Sequence, residues 1–183
     1  TSFAVAPSAT LDGVPLSGQN KDVSVRRGMQ LLVLRLRIAE GPSQLCLTYP
    51  GWTIGYGLVR GGAAVWANSL YVDACEGGLP YAAWYAVALH LPDVEAVARF
   101  TCDAAPGAAF HVTVADEHGG IVGIENGRGG PAFLEPKSGV YVHANNVLSG
   151  QRMRQHETGH ETFTIADSQH RVDRLAALMR EEQ

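Results

Sequence analysis

Apolar side chains recur at two different periods along this chain, and the order in which those periods come limits what it can fold into. Short apolar or alternating stretches come first: Phe3-Ala4-Val5-Ala6, Val14 to Asn20, Leu31 to Ile38, Gln44 to Thr48 and Ala63 to Leu70. Alternation sends successive side chains to opposite faces of a pleated strand, and the end of the run from Leu31 to Ile38 shows it most clearly. Turn-rich Pro7 to Gly13 and Gly- and aromatic-rich Pro50 to Gly57 read as connections. The spacing then becomes helical over Tyr81 to Leu91 and Asp93 to Cys102, with Asp93 placed after Pro92 to cap the second helix. Strands resume at Ala109 to Ala115 and Ile121 to Glu125, a hairpin turning through Glu117-His118-Gly119-Gly120, and at Val140 to Asn145. A last helix is predicted over Ala166 to Glu182: Val172, Leu175, Leu178 and Met179 share one face, while Arg171, Arg174, Arg180 and Glu181 take wet faces. The irregular stretch from Leu148 to Thr162 reads as an exposed excursion. Strands, two helices, strands and a helix predict an α+β protein of mostly antiparallel sheets with helices on their outer faces.

A chain of 183 residues suits one domain, 1–183, and 46% apolar residues are enough for a core. Formal net charge is −4 and no basic stripe runs along any segment, which excludes nucleic acid as the main partner. No apolar run approaches the ~20 residues of a membrane span. Thr1-Ser2-Phe3-Ala4 carries no secretory signal. Cys46, Cys75 and Cys102 are widely spaced and form neither a disulfide framework nor a Cys-x-x-Cys metal site, so reduced thiols in a cytoplasmic compartment are expected. A sequence that starts at Thr is expected to be a processed product or a fragment.

An amino-terminal Thr has a chemistry that no internal residue shares. Its hydroxyl attacks an acyl carbon while its own α-amine, with a reference pKa of about 7.7–8.0, takes the proton. What remains is an oxyanion hole, usually backbone N–H groups with an Asn amide. Short motifs point the same way. They are Thr1-Ser2-Phe3-Ala4-Val5, the run from Asp12 through Gly18-Gln19-Asn20-Lys21-Asp22, Pro50-Gly51, Ala67-Asn68-Ser69-Leu70 and Gly78-Leu79-Pro80. Ile124-Glu125, His143-Ala144-Asn145-Asn146 and Asp167-Ser168 with Arg171 follow. In this order they resemble the peptidase C45 family, the acyl-coenzyme A:6-aminopenicillanic acid acyltransferase (isopenicillin N acyltransferase) group of N-terminal-nucleophile (Ntn) hydrolases.

The resemblance implies a four-layer αββα sandwich and an autoprocessed amide hydrolase or acyltransferase. Such an enzyme cleaves a small N-acyl amide through a covalent acyl-enzyme and needs no cofactor and no metal. It implies Thr1 as nucleophile, Asp22 as the carboxylate that supports the amino terminus, and Asn145 as the amide that meets the oxyanion. Asn68 and Ser69 fall beside the cleft, and Trp66 and Tyr56 are candidates to line an acyl pocket. A self-derived pro-chain would complete a heterodimer. The sequence departs from the family in three ways. The family's nucleophile is a Cys placed just before Thr-Ser-Phe; Lys21 and Asn146 stand where Trp and His are usual; and the family continues past a helix like Asp167 to Glu182.

Plainer readings exist for the same residues. Asn20 and Asp22 suit an ordinary loop, Asn68-Ser69 a turn, and Asn145 a strand end. Glu125 suits a structural ion pair, and Trp52, Tyr56, Trp66, Tyr81, Trp84 and Tyr85 suit core or groove lining. His156-Glu157-Thr158-Gly159-His160 matches the His-Glu-x-x-His pattern of zinc hydrolases. Its flanks lack an apolar helical face and Gly159 weakens a helix, so a zinc enzyme is the rival reading, with a non-catalytic Ntn-like binding protein as a third. Gly61-Gly62, Gly77-Gly78 and Gly127-Arg128-Gly129-Gly130 lack the Lys-Ser/Thr ending of a phosphate loop and read as turns.

Overall fold

Two antiparallel sheets lie face to face with helices on their outer sides. The computed structural model describes residues 1–183 except 23, 24, 29, 38–41, 53–55, 74, 151, 152, 154, 157–163, 182 and 183, with the backbone alone at 27, 28, 56 and 181. Along the chain come β1 (Ser2–Val5), a 3-10 turn at Pro7–Ala9, β2 (Leu16–Gln19), the single helical turn α1 (Val25–Gly28), β3 (Leu32–Arg37), β4 (Ser43–Thr48), β5 (Tyr56–Val59) and β6 (Ala63–Ser69). Helices α2 (Tyr81–Ala88) and α3 (Val94–Asp103) follow, then β7 (Phe110–Asp116), β8 (Ile121–Gly127), β9 (Gly130–Leu134), β10 (Val140–His143) and α4 (Ile165–Glu181). The smaller sheet has the order β10-β1-β2, and the seven-stranded sheet runs β3 to β9 in sequence order.

Period-two alternation assigns each strand residue to a layer. In β6 and β7, Ala63, Val65, Ala67, Phe110, Val112 and Val114 pack outward against Trp84, Tyr85, Leu89 and Val97 of the α2–α3 layer. Their alternates His111, Thr113 and Ala115 are also buried, because the small sheet covers that side. In β1, Ala4 packs between the sheets with Ala115, Ile121 and Tyr141, while Val5 turns the other way, to Val140, Val142 and Val172 of α4. The layers are therefore α4, small sheet, large sheet and α2–α3, the four-layer arrangement expected. Trp84 is 0% exposed at the centre of the helix-side core. We expect Trp84→Ala to cost about 3–5 kcal/mol in urea unfolding. Trp84→Phe should cost far less, since the indole N–H has no partner among the described residues.

Local chemistry matches the predicted boundaries in several places. Asp93 caps α3 by accepting from the Ala96 N–H at 2.7 Å. The predicted hairpin is the β7–β8 pair, Phe110↔Asn126 through Ala115↔Ile121. Its turn is organised by Asp116, whose Oδ1 accepts from the N–H groups of His118 and Gly120 and whose Oδ2 accepts from Val94 N.

Three expectations need correction. Strand β5 begins inside the stretch read as a connection, because Gly57 looks like a turn residue but serves a close strand approach: a Cβ there would strike the Leu45 carbonyl. The Gly127-Arg128-Gly129-Gly130 stretch is a turn only at 128 and 129: Gly127 ends β8 and Gly130 opens β9. The stretch from Leu148 is not wholly an exposed excursion. Met153 is buried against Leu70, Val72 and Ala132, Val72 bridges to Gln155, and His156 N donates to Tyr71 O at 2.6 Å. Val14 to Asn20 shrinks to Leu16–Gln19 and Tyr81 to Leu91 to Tyr81–Ala88, while Ile38 and Glu182 lie outside the described residues. The cysteines are unpaired: Cys46 is buried, Cys75 half-buried and Cys102 exposed. Among the described residues no helix is long and apolar enough to cross a membrane.

Candidate active site

The head of β1 is held from both sides. Asn20 N donates to Thr1 O at 2.8 Å, continuing the β1–β2 ladder past Ser2↔Gln19. The Thr1 amine lies 3.4 Å from Asn20 O, and Asn20 Nδ2 donates to Asp22 Oδ1 at 3.0 Å. One residue on, the Ser2 hydroxyl points between the sheets, 2.6 Å from Asn68 Oδ1 and 2.8 Å from Thr113 Oγ1. On the other flank β1 pairs with β10, Ser2↔His143, so the chain leaving β10 emerges beside residue 1.

Helix α4 then sets the geometry. Ser168 and Arg171 are three residues apart, hence on one helical face. Ser168 Oγ accepts from Asn145 N at 2.7 Å and donates to Asn146 Oδ1 at 2.5 Å, clipping the exit of β10 to the helix. From that face Arg171 spreads its guanidinium three ways. Nε donates to Asp167 Oδ2 at 2.9 Å, Nη1 to Thr1 Oγ1 at 3.0 Å and Nη2 to Asn145 Oδ1 at 3.1 Å. Asn145 Nδ2 donates to Ser69 O at 2.9 Å, which leaves one of its two amide hydrogens for another acceptor.

Burial and then the Arg171 charge push the Thr1 amine below its ordinary pKa. Asp22 pulls it up and Lys21 pushes it down again. The amine is thus more often free base near neutral pH than an exposed terminus would be, which suits a proton acceptor. Thr1, Asp22 and Asn145 come together, Asp22 acting by its charge and through Asn20. Asn68 joins through Ser2, and Ser69 through Asn145. The indole N–H of Trp66 is taken by Ser17 Oγ at 2.9 Å on the neighbouring β2. The Tyr56 side chain lies outside the described residues.

Arg171 was expected on a wet face of the last helix and instead turns inward, its side chain 25% exposed. The signal was faint: Asp167 and Arg171 at i, i+4 read equally well as a surface ion pair. Ser2, Ser168 and His143 fall in the quoted motifs, but the sequence assigns them no role of their own, and it gives no sign of His111, which stacks on His143.

This architecture is shared with a solved protein. The chain is similar to a variant of conjugated bile acid hydrolase from Clostridium perfringens, with a TM-score of 0.65 at 15% identity, covering 98% of this chain and 72% of that one. The fold is that of the Ntn hydrolases. No family model matches the chain, and no curated protein matches it. Within the Ntn fold the motif residues gather at the amino end of β1. Of the His-Glu-x-x-His stretch only His156 is described: its Nε2 sits 2.7 Å from Asp73 Oδ1, and residues 157–160 lie outside the described residues. Among the described residues no group of three or more His, Cys, Asp or Glu is arranged to hold a metal.

Proposed function

We propose that this chain is an Ntn amide hydrolase that cleaves a small N-acyl substrate through an acyl group carried on residue 1. The observation that carries the reading is the single guanidinium joining the Thr1 hydroxyl at 3.0 Å to the Asn145 carboxamide at 3.1 Å, beside an amine whose pKa is lowered. The fold supports it, and so does the name of the similar structure, a conjugated bile acid hydrolase.

The chemistry follows from the groups present. Thr1 Oγ1 attacks the substrate carbonyl carbon and its proton passes to the α-amine. The carbonyl oxygen becomes an oxyanion, met by the remaining Asn145 Nδ2 hydrogen and a backbone N–H. Collapse breaks the C–N bond, the ammonium returns the proton to the leaving amine, and an ester to Thr1 is left. Water then attacks that ester, with the amine again as base, and releases the carboxylic acid. Transfer of the acyl group to a second amine, the chemistry of the C45 family, uses the same intermediate. Removal of a pro-chain by the nucleophile itself belongs to the same proposal.

The test is covalent. Incubation with an activated acyl p-nitrophenyl ester should add one acyl mass, mapped to the peptide that begins at Thr1. A label elsewhere, or none, overturns the proposal. Thr1→Ala should abolish turnover and leave the fold intact. A second reading has one motif in its favour, the family's Cys before Thr-Ser-Phe: in that case the label maps to a residue preceding Thr1. Asn145→Ala should lower kcat about 100-fold, and a loss below about tenfold would remove it from the oxyanion hole.

A further inference from the structure

Two imidazoles that the mechanism does not use face each other between the sheets. His111 on β7 and His143 on β10 are both 0% exposed, with ring centroids 3.4 Å apart and planes 6° apart. Their partners assign the protons. His143 Nε2 lies 2.7 Å from Glu125 Oε1 and Nδ1 lies 2.9 Å from the Ala144 carbonyl oxygen. A carboxylate and a carbonyl only accept, so both ring nitrogens donate and His143 is an imidazolium. Glu125 is its counter-charge, and the N–H groups of Leu148 and Ser149 also donate to that carboxylate.

His111 differs. Its Nδ1 lies 3.3 Å from Asn68 Oδ1, another pure acceptor, so the proton sits on Nδ1. Its Nε2 is then left to accept from the Tyr141 hydroxyl at 2.9 Å. A second cation stacked on the first would be repelled at this separation. The groups facing His111 are therefore the His143 cation and Tyr141 from β10, Asn68 from β6, and the amino terminus, whose charge reaches it.

We infer that His111 is a positioning residue for the reactive end of the chain: its Nδ1–H holds the Asn68 carboxamide that the Ser2 hydroxyl also grips, and so fixes residue 1 at the head of β1. The inference rests on the proposed function, in which residue 1 is the nucleophile. Burial, the His143 charge and the amino terminus all hold His111 well below its ordinary pKa, in keeping with a neutral ring.

The test has a spectroscopic and a kinetic arm, both on the full chain. Long-range proton–nitrogen correlation of the uniformly 15N-labelled protein should show His111 protonated on Nδ1 alone from about pH 6 to 8. A His111 protonated on Nε2, or titrating in that range, overturns the inference. It does so even if every variant fails to fold.

For kinetics, p-nitroanilides of a series of carboxylic acids serve as probes. His111→Asn puts an amide N–H near the Nδ1 position, whereas His111→Gln puts one near Nε2. His111→Asn should keep kcat within about threefold of wild type, and His111→Gln should lose about tenfold or more in kcat with little change in KM. Equal or reversed losses overturn the positioning role. If wild-type protein turns over none of the anilides, the functional reading falls and the positioning role falls with it. An active wild type with the wrong tautomer or the wrong order of variants sinks this inference alone.

Discussion

Arg171→Leu should reduce kcat/KM about a thousandfold. Two of the three guanidinium contacts go to residues that the proposed function places at the reacting centre, to Thr1 Oγ1 and to Asn145 Oδ1. Hydrogen bonds from a charged donor contribute roughly 1.5–3 kcal/mol each, and about 1.4 kcal/mol is tenfold in rate. Losing both frees the Thr1 hydroxyl and lets the Asn145 amide rotate. Arg171→Lys should not rescue, since an ammonium at the end of a flexible stem cannot span the Thr1, Asn145 and Asp167 oxygens as a planar fork does. The pH profile offers a second readout. The Arg171 cation helps to hold the Thr1 amine below its ordinary pKa. Its removal raises that pKa, so the residual activity of Arg171→Gln should rise at a higher pH than wild type. A loss below about tenfold, with an unmoved profile, would take Arg171 out of the site.

A stability effect as large as that at Trp84 is expected at Glu125. Glu125 and His143 are both 0% exposed and form an ion pair at 2.7 Å. Glu125→Leu leaves a cation buried without its partner, which costs about 3–5 kcal/mol. For a domain of this size that lowers Tm by roughly 10 °C or more. His143→Leu added to Glu125→Leu should recover part of the loss, because two apolar groups need no counter-charge. A Tm within about 2 °C of wild type for Glu125→Leu would show that the pair contributes nothing.

The same layer sets the response to acid. Burial favours the neutral Glu125 carboxyl, but the hydrogen bond and charge of His143, with Ser149 and Leu148, override it and hold the pKa below the ordinary carboxylate value. The stability this confers is present above the ordinary Glu pKa and lost as pH falls through the folded value. His111 adds to the same trend. It stays neutral in the folded protein while the unfolded chain takes up a proton below about pH 6.5, so stability already declines from that point downward. Urea midpoints measured from pH 7 to pH 4 should fall continuously; a flat profile would contradict both assignments.

What could be read from the sequence is what alternation and local chemistry determine. The strands from Phe3, Gln44, Ala63 and Ala109, the Asp93 cap and the last helix all show in the pattern, because each depends on residues a few positions apart. Gly57 and the Gly130-Pro131 start of β9 hid two strands, since glycine marks a turn and a close strand contact alike. The motif residues Thr1, Asp22 and Asn145 were readable as candidates, whereas the Arg171 link between two of them was not. It depends on Ser168 clipping α4 to the exit of β10, a contact across 23 positions. The stacked imidazoles were hidden for the same reason: they meet only when two sheets close with β1 in register between β2 and β10.

That register carries a consequence for the order of assembly. Residues 2–5 find their outer partners at 140–143, so the strand that follows residue 1 gains its second neighbour only once the chain has run through to β10. Closing so long a loop is slow compared with forming the local hairpins. On the proposed function, a chain not yet made as far as β10 holds an incomplete site, and activity would report that this strand has docked.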